Sequence, residues 1–160
     1  KVGIIGTIRT VASGAYEKAI HLIDKEITVI QKATPLLVPL IEENWINKEA
    51  TRLVIREYLD FFKDKNSIDT LVLGCTHYPL IKKVIEDEIP GVNVIDSANS
   101  CANKVKDLIV KFNLSNNASQ DKNEVEHQFY VNDITEGFKQ LAYRIIAKEI
   151  NITNVSEYEV

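Results

Sequence analysis

"LVLGCTHYPL", residues 71–80, places a thiol, a hydroxyl and an imidazole in consecutive positions behind an apolar run. Cys75 at the end of a buried strand, just ahead of a helix that Pro79 can open, meets backbone N–H groups and a dipole that favour a thiolate. A thiolate can attack as a nucleophile or take a proton as a base. His77 can exchange a proton with a partner, and Thr76 offers a hydroxyl and an N–H to an anionic ligand. The plain alternative for Cys75 is a small thiol filling a core gap. The Gly-Cys-Thr-His-Tyr-Pro setting weighs against it.

A second polar loop, "GTIRTVASGAY" at residues 6–16, follows another short apolar run. The Thr7 and Thr10 hydroxyls with local N–H groups can hold a carboxylate. Helix capping by Thr10 or Ser13 explains the same residues and is compatible with that role. Glu42 follows Pro35 and Pro39 at the exit of an apolar stretch. It can orient His77, or it can be a solvated loop residue like its neighbour Glu43. Cys101 lies among small residues on an expected helix, where packing accounts for it. His21 and His127 have no companions of this kind.

These residues need strand ends to carry them. Val2–Ile5, Ile27–Ile30, Ile68–Leu73 and Val92–Ile95 are apolar, β-branched runs of strand length. Helices are expected through Ala15, Ala19 and Leu22, over Glu49–Lys63, from Pro79 to about Asp87, and over Ser97–Phe112. Strand–helix alternation over 112 residues predicts an α/β fold, a mostly parallel sheet flanked by helices. Residues 113–126 read as a linker. A strand Gln128–Val131, a helix Gly137–Ile150 and a short strand in the tail complete the expectation. In a sheet of this kind ligands bind beyond the carboxyl ends of the strands, where both polar loops fall.

The totals narrow the class. The chain has 160 residues, is 45% hydrophobic and 26% charged, and carries a formal net charge of −4. There is no basic excess for nucleic acid. Two cysteines make neither a disulfide framework nor a zinc pair, and a reducing cytoplasm suits them. No run of about 18 apolar residues spans a membrane, and the start has no signal-peptide core. No dinucleotide or P-loop glycine motif occurs. No metal or cofactor site is indicated. The chain contains no Met and opens in mid-pattern, so a piece of a longer protein is expected.

Three blocks, "VGIIGTIRTVASGAY" (2–16), "PLLVPLIEE" (35–43) and "LVLGCTHYPLI" (71–81), together resemble the glutamate racemases of the aspartate/glutamate racemase superfamily. The GCTHYP block is the most specific, and residues 129–142 are similar to the family's C-terminal strand and helix. The resemblance implies a cofactor-independent enzyme of two parallel α/β domains with glutamate between them, each domain supplying one catalytic cysteine. It implies that Cys75 is the base toward L-glutamate, that Thr7 and Thr76 bind substrate, and that His77 assists Cys75 with Glu42 behind it. It implies a homodimer for the intact enzyme and D-glutamate for peptidoglycan as the product's use.

The family's first-half blocks, including the first cysteine followed by Asn-Thr, do not occur in these 160 residues. Residues 1–96 are then expected to be one racemase domain and residues 97–160 a segment completing the other. Two further functions stand beside this one. An aspartate racemase typically carries Gly-Cys-Thr-Glu, so His77 favours glutamate. A non-catalytic module binding a dicarboxylate or a protein partner would show no exchange at Cα. A thiol-transfer role lacks a resolving cysteine near Cys75.

Overall fold

The computed structural model describes residues 1–63, 67–115, 128–146 and 150–155. The chain forms two compact units, Lys1–Leu114 and Ser115–Val160. In the first, strands β1 (Val2–Gly6), β2 (Val29–Ala33), β3 (Thr70–Gly74) and β4 (Asn93–Asp96) make one sheet in the order β2-β1-β3-β4. Every pairing is parallel. The expected fold class is the one observed.

Helices α1 (Ile8–Ser13) and α2 (Ala15–Ile23) join β1 to β2. Helices α3 (Leu37–Glu42) and α4 (Glu49–Asp60) join β2 to β3, and a 3-10 turn (Tyr78–Ile81) with α5 (Lys82–Glu88) joins β3 to β4. Helix α6 (Ser97–Lys111) follows β4 directly. The core is aliphatic: Ile4, Ile5, Leu37, Ile41, Ile55, Leu59, Leu71, Leu73, Ile81 and Ile85 are all essentially inaccessible. Hydrophobic strands with both faces covered are what a parallel sheet requires. On α4 the buried stripe is Thr51, Ile55 and Leu59, a spacing of four, while Leu53 faces outward.

Several local expectations change. In Thr7–Ser13, expected to be a loop, Ile8–Ser13 is helix α1, because the Thr7 hydroxyl caps it by accepting from the Thr10 N–H at 3.1 Å. Gly14, at φ 62°, then ends α1 in the left-handed region and starts α2. The Ser13 hydroxyl donates to the Thr10 carbonyl at 2.7 Å and accepts from the Ala15 N–H at 3.2 Å. Leu22, expected among the apolar positions of α2, is exposed. Pro79 sits in a 3-10 turn, and the α-helix begins only at Lys82.

In the second unit β5 (Gln128–Val131) and β6 (Asn151–Asn154) pair in parallel, with helix α7 (Glu136–Ile146) between them in sequence. This is one βαβ unit. The expected helix end at 147–149 and most of the expected linker, residues 116–126, lie outside the described residues.

Candidate active site

The sheet order puts a switch point between β1 and β3: the chain leaves β1 toward β2 on one side and returns through β3 on the other. The loops after two such strands diverge and leave a crevice at the carboxyl edge. Gly6 and Gly74 are register partners at the ends of these strands, so Thr7 and Cys75 emerge side by side. Both glycines allow close approach. A Cβ on Gly6 would lie 3.0 Å from the Thr10 side chain, and one on Gly74 would lie 3.0 Å from the Ile5 carbonyl.

Cys75 is half-buried, with its Sγ 3.8 Å from His77 Nδ1. The other ring nitrogen, His77 Nε2, lies 3.1 Å from Glu42 Oε1. The structure therefore brings Cys75, His77 and Glu42, all picked out from sequence, into one line. Glu43, the neighbour that sequence could not separate from Glu42, is the C-cap of α3. Thr7 and Thr10 are joined by a 2.8 Å hydroxyl–hydroxyl contact on the adjoining loop. Thr76 is exposed between Cys75 and His77. Cys101 is exposed on α6.

Two buried residues that sequence did not select, Thr34 and Tyr78, sit beneath these loops. Their hydroxyl oxygens are 2.6 Å apart across 44 positions. Burial pushes the Tyr78 phenol up to about 12, so it stays protonated and donates. At the end of β4, Asp96 is held down at about 2, first by the Asn99 backbone N–H and then by the Lys82 ammonium at 2.7 Å. Among the described residues no group of three His, Cys, Asp or Glu is placed to hold a metal ion.

The model of the Asp/Glu/Hydantoin racemase family matches residues 1–105. The chain belongs to this family. It is 46% identical over 146 residues to the glutamate racemase of Chlorobaculum parvum, covering 91% of this chain and 52% of that protein. It is 42% identical over 148 residues to the glutamate racemase of Neisseria meningitidis, covering 92% and 53%. Among solved structures, the Francisella tularensis glutamate racemase in complex with D-glutamate superposes with a TM-score of 0.85 at 34% identity, over 96% of this chain and 57% of that one. The chain thus spans about half the length of the racemases it matches.

Proposed function

We propose that this chain is the second half of a glutamate racemase, and that Cys75 is the base that removes the α-proton of L-glutamate. The observation carrying this reading is the line from Cys75 Sγ through His77 to Glu42 at the carboxyl end of β3, beside the Thr7–Thr10 loop. If Glu42 accepts from His77 Nε2–H, Nδ1 is left as an acceptor aimed at the thiol. The thiol can pass its proton to the ring, and the thiolate can then take the substrate proton.

The α-proton is weakly acidic, so charge developing on the substrate carboxylate needs donors already in place. Thr7, Thr10 and Thr76 hydroxyls with their local N–H groups fill that role. Racemisation also needs an acid on the opposite face of the planar carbanion. Cys101 lies on α6 in another sequence setting, so we assign that acid to the part of the longer relatives that this chain does not span. Residues 1–96 are then one racemase domain, and residues 97–160 complete the other. The exposed apolar side chains of α6 support this division. The intact enzyme is a cytoplasmic homodimer that needs no cofactor and supplies D-glutamate for peptidoglycan.

The test is α-proton exchange in D2O, followed by NMR with each glutamate isomer separately. Exchange from L-glutamate, lost in Cys75→Ala, supports the assignment. Exchange that survives Cys75→Ala would remove Cys75 from the base role.

A further inference from the structure

Beneath the site lies a polar node that the proton path does not use. Thr34 directly follows β2, and Tyr78 directly follows His77. Both are 0% exposed. The Thr34 hydroxyl donates to the Gly6 carbonyl at 3.2 Å, and the Thr34 N–H donates to the same oxygen at 2.8 Å. The Tyr78 hydroxyl therefore donates to Thr34 Oγ1 at 2.6 Å and shares its proton with the Thr34 carbonyl at 3.2 Å. Tyr78 N–H in turn donates to the Cys75 carbonyl at 3.2 Å.

Three chain segments meet at this node. Gly6 precedes Thr7 on the first loop. Thr34 opens the stretch that becomes α3 and ends in Glu42, its carbonyl accepting from the Leu37 N–H at 3.2 Å. Tyr78 closes the loop that carries Cys75 and His77. A phenylalanine would fill the Tyr78 slot and a valine the Thr34 slot without burying hydroxyls, which cost stability unless fully paired. What the hydroxyls add is direction, because a hydrogen bond fixes distance and angle where apolar packing tolerates sliding.

We propose that Tyr78 and Thr34 are the positioning pair of the site, bolting the Cys75–His77 loop to the Thr7 loop and to the segment that presents Glu42. Neither touches substrate; they act through the placement of His77 against Cys75 and Glu42. The proposal deepens the racemase reading and rests on it for the roles of Cys75 and His77.

The experiment is alkylation by iodoacetamide at neutral pH, with Cys75 and Cys101 quantified separately by mass spectrometry. Cys101, exposed on α6, is the internal reference. The variants are Tyr78→Phe, Thr34→Val, the double variant Tyr78→Phe/Thr34→Val, and Thr34→Ser, which keeps the hydroxyl. Removing both hydroxyls together leaves no unpaired side-chain partner, so the double variant is expected to melt close to wild type. We expect its Cys75-to-Cys101 rate ratio to fall by about threefold or more, since thiol reactivity follows the thiolate fraction. Thr34→Ser is expected to restore the ratio. A double variant that folds and keeps the wild-type ratio would overturn the proposal, as would a Thr34→Ser ratio as low as that of Thr34→Val. Cα exchange from L-glutamate on the same samples separates the two readings. A fallen ratio in a chain whose wild type exchanges nothing would leave the positioning pair standing and show that exchange needs the part of the relatives this chain does not span.

Discussion

His77 faces a different partner with each ring nitrogen, sulfur on Nδ1 and carboxylate on Nε2. The Glu42 side chain is 57% exposed, and a polar contact so open to water adds little to stability. In the proposed mechanism its value lies in fixing which nitrogen carries the proton. Glu42→Gln is therefore expected to leave the melting temperature unchanged while lowering Cα exchange about tenfold, a barrier change of roughly 1.4 kcal/mol. His77→Asn removes the proposed proton relay itself and is expected to lower exchange about 100-fold. Both are read by NMR in D2O, and equal losses would show that Glu42 does more than orient the ring. The Cys75 block was legible because Gly-Cys-Thr-His-Tyr-Pro sets a thiol and an imidazole together at a strand end and resembles a specific family block. The Thr34–Tyr78 pair was not legible, because nothing local in either residue announces a partner 44 positions away.

At the scale of elements, the strands were legible to within a few residues, since apolar β-branched runs in a parallel sheet have few other readings. Helix starts were less so. Thr7, expected from sequence to bind ligand, is the cap of α1. Asp96 is the counterpart at α6, where it accepts from the Asn99 N–H at 2.8 Å while Lys82 neutralises it. Asp96→Ala is expected to cost about 1–2 kcal/mol of the first unit's stability by urea denaturation. The pH dependence follows in sign. The folded carboxyl sits at about 2 against an ordinary 3.8, so the unfolded chain takes the proton more readily. The stabilisation is complete above the ordinary value and is lost as pH falls toward 2. Acid melts of the wild type and of Asp96→Ala should converge over that window.

The molecule as a whole holds two units of unequal means. The first has a four-stranded sheet and an aliphatic core. The second has a two-stranded sheet, and among its described residues only Ala142 is a buried hydrophobic. Two strands alone are marginal in water. Helix α6 also leaves Val105, Leu108, Ile109 and Val110 exposed, and so does its C-cap Phe112. Circular dichroism melts of this chain are expected to show two steps, with the smaller unit lost first. A single sharp transition from a monomer would contradict this.

The pairing of Gly6 with Gly74 also imposes a counting rule. Each strand residue advances the chain by about 3.3 Å and turns the next side chain to the opposite face. One residue inserted between Gly3 and Gly6 would carry Thr7 past Cys75 and point it away from the crevice. The same insertion between α2 and β2 would lengthen a connection and leave the site intact. The stretch from Val2 to Thr7 must preserve its length as well as its glycines. Related chains should therefore vary in the number of residues around Asp24–Glu26, and hold it constant from the first strand to its threonine.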